Sequence, residues 1–182
     1  PAALERGATL LGAGVLRGPG GKGANQAVAL ARLGRSVAMV GAVGSDPDGD
    51  WMLGVLEAEG VDTRAVARLD APTGQAFVFV EPDGESTIVV APGANGALSP
   101  HDLDASADLI KSAKCVLAQQ EVSAEVVSRA AELCRGLFVL NPAPARPIEP
   151  GTLKRVDVLV RIAGDVAAGA VVIRGGILKY RK

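Results

Sequence analysis

Apolar and polar positions along this chain alternate between helical and extended spacing. In residues 23–33 apolar residues fall at Ala24, Val28, Ala31 and Leu33 and Gly34 follows, which predicts a helix. Residues 36–43 (SVAMVGAV) are apolar and β-branched but too short for a helix, which predicts a buried parallel strand. Asp46-Pro47 then opens a second helix, with Trp51, Leu53, Val55 and Leu56 apolar, that closes at Gly60.

The pattern changes after Gly60. Residues 73–80 and 86–90 are extended runs joined by Glu81-Pro82-Asp83-Gly84, a turn sequence that predicts a hairpin. Residues 7–14 (GATLLGAG) add a candidate third short strand, so a small antiparallel element separate from the main sheet is expected over about 7–14 and 73–90.

Alternation then resumes. Ser99-Pro100 opens a helix running to about Ser112, residues 114–119 form a strand, and Ser123 caps a helix that ends near Cys134, with Gly136 beyond it. Strands follow at 137–141, closed by Pro142-Ala143-Pro144, at 156–160 and at 170–174. Helices interleaved with strands predict an α/β fold, a mainly parallel sheet flanked by helices, carrying the small antiparallel element.

Composition narrows the class. A chain of 182 residues that is 48% apolar can bury one good core, so residues 1–182 are expected to form a single domain. Its 19 basic and 20 acidic residues are interspersed, which offers no footprint for nucleic acid. No apolar run approaches the roughly 20 residues that span a bilayer, and the start lacks a basic, then apolar, leader, so a cytoplasmic protein is expected. Cys115 and Cys134 lie in apolar surroundings without metal-ligand spacing, so both are expected as buried thiols. His101, the single histidine, follows a helix-start pair and is expected at the surface.

Glycine is the outlier, at 23 of 182 residues against an average of about 7%. It concentrates in Pro19-Gly-Gly-Lys-Gly-Ala-Asn-Gln26, immediately before the first helix. Such a loop lets backbone approach a small, oxygen-rich ligand while Lys22, Asn25 and Gln26 present polar groups. A Walker A loop does not fit, because Leu16 stands where its first glycine belongs and Gly23 follows the lysine. Gly18, Gly20 and Gly23 satisfy GxGxxG, but the preceding residues make a poor strand and Pro19 interrupts the turn.

The run GPGGKGANQAVALARLG resembles the first signature of the PfkB-type carbohydrate kinases, and GGKGANQ is most similar to the ribokinase branch. Further resemblances follow in the same order: Val43-Gly-Ser-Asp46 with Gly49, Glu59 to Thr63, Thr73-Gly74, residues 86–95 (STIVVAPGAN) and residues 140–145 (LNPAPA). The resemblance implies a ribokinase-like fold whose antiparallel element is a lid closing over a sugar, so that water is excluded during transfer. It implies ATP-dependent phosphorylation of D-ribose to ribose 5-phosphate, with Mg²⁺ and K⁺, and a homodimer formed through the lid.

The same resemblance assigns Gly21, Lys22, Gly23 and Asn25 to the loop around the sugar hydroxyls, and Glu121 to an acceptor of sugar hydroxyl hydrogen bonds. Against these stand plainer readings, a helix-capping turn with a solvated lysine and an exposed glutamate ahead of a helix. Asn141, at a strand end, is expected to serve structure. Ala163-Gly-Asp165 resembles the late motif that carries the catalytic base, with Ile162 in place of its first glycine. In a second alignment residues 167–176 match a strand ending in Gly-Gly, and Asp165 is an ordinary helix residue. The resemblance further implies a chain lacking the family's opening strand and most of its nucleotide-binding half. Other functions stay open: a kinase for another sugar or nucleoside, or a non-catalytic sugar-binding remnant.

Overall fold

The computed structural model describes residues 12, 14–81 and 84–160. The candidate strands at 7–14 and 170–174, and Asp165, lie wholly or largely outside them.

Helix α1 (Lys22–Arg32) leads to strand β1 (Ala38–Gly44), helix α2 (Pro47–Ala58) and strand β2 (Asp62–Leu69). β1 and β2 pair in parallel, with Val40 opposite Ala65 and Gly44 opposite Leu69. A hairpin follows, β3 (Gln75–Val80) against β4 (Ser86–Ala91), antiparallel, with Val78 opposite Ile88. Short helices α3 (Ala94–Ala97), α4 (Pro100–Asp104) and α5 (Ala107–Ser112) lead to β5 (Cys115–Gln119). Helix α6 (Ala124–Leu133), β6 (Leu137–Asn141), α7 (Pro150–Leu153) and β7 (Val158–Leu159) complete the described chain. β5, β6 and β7 form a parallel sheet in that order. The fold is therefore α/β, with parallel sheets flanked by helices and a separate antiparallel hairpin.

One core cluster joins the two halves. Ala42 of β1 and Ala94, Leu98, Leu103 and Ile110 from α3 to α5 pack with Val126 and Leu133 of α6. A second gathers Val127 and Ala131 of α6 around Phe138 and Leu140, whose side chains are wholly enclosed. Ala27, Leu56 and Val61 hold α1 and α2 to β1. These clusters hold the carboxyl ends of β1, β5 and β6 in register with the start of α1.

Three expectations change. The helix expected from 99 to about 112 is two helices, because Ser106 turns out of helical geometry with its N–H on Leu103 O at 2.9 Å. Leu103 and Ile110 nevertheless reach the same core. β2 has no counterpart among the elements read from the apolar pattern. Arg64 and Arg68 interrupt its apolar run, and each is neutralised on the surface, by Asp62 and Asp50. The thiols are not buried: Cys115 is exposed at the first position of β5 and Cys134 is half-buried at the end of α6. Cys115 starts its strand where Leu137, its neighbour on β6, is also 44% exposed. Desolvation of its sulfur, then Cys134 and Asp157, push the Cys115 thiol above its ordinary value.

His101 is exposed in the first turn of α4, as expected. Asp102 completes that turn by accepting from Ser99 N at 2.8 Å and Ser99 Oγ at 2.6 Å. Among the described residues no helix is long and apolar enough to cross a membrane.

Candidate functional site

The glycine loop ends where α1 begins. Gly21 takes φ 94° and ψ 131°, a left-handed geometry that favours glycine, and so turns the chain into the helix. The first N–H groups of a helix have no partner within it. Lys22 N donates instead to Glu121 Oε2 at 2.7 Å, and Lys22 Nζ reaches Glu121 Oε1 at 3.1 Å. Glu121 stands just past the carboxyl end of β5, so one carboxylate joins the glycine loop to the strand end. The two side chains remain 42% and 31% exposed, which leaves the pair open to exchange partners with an arriving ligand.

Beside it runs a relay of amides. Gln119, the last residue of β5, donates to Gln26 Oε1 of α1, and Gln26 Nε2 donates to Asn141 Oδ1 at 3.4 Å. Asn141 Nδ2 donates to Val160 O at 2.9 Å, which ties the end of β6 to the residue after β7. A Cβ on Gly23 would stand 3.0 Å from Met39 Cε and 3.1 Å from Gln119 Oε1, so glycine there lets α1 settle onto the strand ends. The result is a polar shelf of donors and acceptors at the carboxyl ends of parallel strands, the edge at which α/β folds receive ligands.

The hairpin is rooted at the first turn of α2. Asp46 caps that helix by accepting from Gly49 N at 2.8 Å, and it also accepts from Thr73 N at 2.7 Å and Thr73 Oγ1 at 2.6 Å. Thr73 Oγ1 in turn accepts from Gly44 N at 2.9 Å. These bonds, led by the Thr73 hydroxyl, hold the Asp46 carboxyl below its ordinary pKa. A Cβ on Gly49 would lie 2.3 Å from Gly44 O, and one on Gly44 would lie 2.4 Å from Ala71 O. The spacing Val43-Gly-Ser-Asp46 to Gly49 is thus a structural joint: its glycines let β1, α2 and the hairpin root meet.

The structure brings Gly21, Lys22, Gly23 and Glu121 together. Asn25 N donates to Gly21 O at 2.9 Å, and Asn25, exposed, lines the groove between α1 and α2 beside Pro19 and Gly20 of the same loop. Gln119 belongs to the shelf, although nothing in its sequence context singled it out. The signal available was its place as the last residue of a strand bordering Glu121. Among the described residues no group of three His, Cys, Asp or Glu side chains could hold a metal ion.

Fold and shelf together define an α/β protein with a polar edge at the ends of its parallel strands and a separate antiparallel hairpin. The sequence pattern of the pfkB family carbohydrate kinases matches residues 2–147, and the chain belongs to that family. It is 39% identical over 158 residues to the ribokinase of Bacillus subtilis (strain 168), covering 85% of this chain and 54% of that protein. It is 41% identical over 132 residues to the deoxyribokinase of Salmonella typhi, covering 70% of this chain and 43% of that one. The solved structure of Arabidopsis thaliana ribokinase complexed with ribose and ATP superposes with a TM-score of 0.72 at 29% identity, over 78% of this chain and 48% of that one. The chain spans about half the length of the curated relatives it matches.

Proposed function

We propose that this chain carries the sugar-binding part of an ATP-dependent kinase that phosphorylates D-ribose at its terminal hydroxyl. The observation that supports this most directly is the Lys22–Glu121 pair, which puts an ammonium, a carboxylate and a helix N-terminus at one strand edge. Vicinal hydroxyls need both donors and acceptors. Glu121 accepts from sugar O–H groups, while Lys22 and the amides of Gly21 and Gly23 donate to sugar oxygens. Asn25, beside Pro19 and Gly20 of the loop, offers a carboxamide to the same hydroxyls.

In the reaction the terminal hydroxyl oxygen of ribose attacks the γ-phosphorus of ATP. A new O–P bond forms, the bond to the β-phosphate oxygen breaks, ADP leaves, and the hydroxyl proton passes to a base. Asp165, outside the described residues, is the candidate for that base. Mg²⁺ would neutralise the phosphate charge and K⁺ would accompany it, both by likeness to the family. The described residues contain no acidic cluster fit for a metal.

The lid serves two purposes in this reading. Phe77, Phe79 and Val89 share one face of the hairpin, and Val78, Ile88 and Val90 share the other, all between 45% and 61% exposed. A hairpin apolar on both faces needs two covers. One face closes over the sugar and excludes water, and the other meets the lid of a second copy in a homodimer of a cytoplasmic enzyme.

ADP release measured across a panel of ribose, 2-deoxyribose and fructose tests the substrate. Stimulation by ribose above the others is expected, and the likeness to a deoxyribokinase makes 2-deoxyribose the sharpest competitor. Ribose bound without ATP turnover would favour a sugar-binding protein instead. Absence of any sugar response would overturn the reading.

A further inference from the structure

Residues 18–21, Gly-Pro-Gly-Gly, bring almost no side chain with which to hold the sugar loop. A Cβ built on Gly18 or Gly20 would meet nothing within 4 Å, and just before the loop Val15 and Leu16 are 95% and 101% exposed. The loop is therefore held at its two ends. Downstream the tether is Lys22 on Glu121. Upstream it is Arg17, whose Nη2 donates to Asp48 Oδ1 and whose guanidinium lies 5.3 Å from the centroid of the Trp51 ring.

Asp48 has a second bond. Its other oxygen, Oδ2, accepts from Gln75 Nε2 at 2.8 Å, and Gln75 is the first residue of lid strand β3. The first turn of α2 thus grips the lid root at two points, Asp46 on Thr73 and Asp48 on Gln75, and at the second it also holds the sugar loop.

We propose that Arg17 and Asp48 are positioning residues for the sugar site, coupling the lid strand to the glycine loop through a single carboxylate. This rests on the sugar-binding reading above. The loop and lid then order together: a sugar that fixes the loop also fixes Arg17 on Asp48 and Trp51, and the same carboxylate aligns Gln75 and the strand it begins. Neither residue touches the sugar in this scheme.

The chain supplies its own reporter, because Trp51 is its single tryptophan. D-ribose titrated calorimetrically, with Trp51 emission followed in parallel, should bind wild type with a change in emission. Arg17→Gln should bind about five- to tenfold more weakly, as expected for losing an exposed ion pair and a cation–π contact together, and should lose the emission change. Arg17→Lys, which keeps the charge, should recover most of the affinity.

Salt discriminates this role from a merely structural one. Ribose is neutral, and at 1 M ionic strength the screening length falls to about 3 Å. High salt should lower wild-type affinity toward that of Arg17→Gln, beyond any change seen in Arg17→Gln itself. Circular dichroism of the exposed-site variant checks its fold. Ribose bound equally by wild type and Arg17→Gln, with the same salt profile, overturns the coupling and leaves the proposed function standing. A wild-type chain that binds no sugar overturns that function and the positioning role drawn from it.

Discussion

Thr73→Val replaces one hydroxyl with a methyl of nearly the same volume at the lid root, where Thr73 is 8% exposed. Two bonds disappear. Gly44 N, buried at the end of β1, loses the acceptor it holds at 2.9 Å, and Asp46 loses the donor at 2.6 Å. An unpaired buried amide costs about 1–3 kcal/mol. Asp46 keeps Thr73 N and Gly49 N, so the lost amide partner sets the scale. A net destabilisation of about 1–3 kcal/mol follows. Urea unfolding followed by Trp51 emission and far-ultraviolet circular dichroism measures it, since Trp51 lies in α2 close to the joint. Thr73→Ser is the control: it keeps the hydroxyl and should cost no more than about 1 kcal/mol, the transfer free energy of one methyl group. Thr73→Val within about 0.5 kcal/mol of wild type would refute the reasoning, because changes that small are ordinary for surface positions. So would Thr73→Ser falling as far as Thr73→Val, since packing rather than the hydrogen bonds would then govern the joint.

Glu121→Gln keeps the shape of the side chain but removes the charge that bonds Lys22, and it should weaken ribose binding by about tenfold or more in calorimetry, with affinity unchanged counting against the site. Leu140→Ala empties a wholly buried position at the centre of the β5–β6–β7 sheet and should cost about 2–5 kcal/mol in denaturant unfolding. Acid should loosen the lid root. The Asp46 pKa is lowered in the fold, so its contribution is full above the ordinary carboxylate value of about 4 and is lost as pH falls through the folded value. Melting temperatures between pH 5 and pH 3 should therefore fall more steeply for wild type than for Asp46→Asn. Asp62, held at about 2 by Arg64 two residues away, sits in an exposed pair that solvent screens, so Asp62→Asn should change that slope less than Asp46→Asn does. Parallel slopes for wild type and Asp46→Asn would remove Asp46 from the acid response.

Much of the fold was legible because its signals are local. Gly34 past α1, Asp46-Pro47 before α2 and Ser123 before α6 are capping chemistry, and a cap needs only its own few residues. The hairpin announced itself through its turn. β2 was not legible, since Arg64 and Arg68 break its apolar run and only their acidic partners, one of them on α2, make a strand with two arginines compatible with a parallel sheet. The cysteines misled for a related reason. Apolar neighbours in sequence do not say that Cys115 begins its strand at an open end of the sheet.

By itself the sequence determined the α/β alternation, the hairpin and the glycine loop, because each is written in residues that are neighbours along the chain. Tertiary structure alone decided which side chains share that loop. Glu121 lies 99 residues beyond Lys22, Asn141 lies 115 beyond Gln26, and Asp48 reaches both Arg17 and Gln75. A parallel sheet returns every strand to the same edge after a helical crossover, and it is that return, rather than any local pattern, that gathers distant polar residues around the glycine loop.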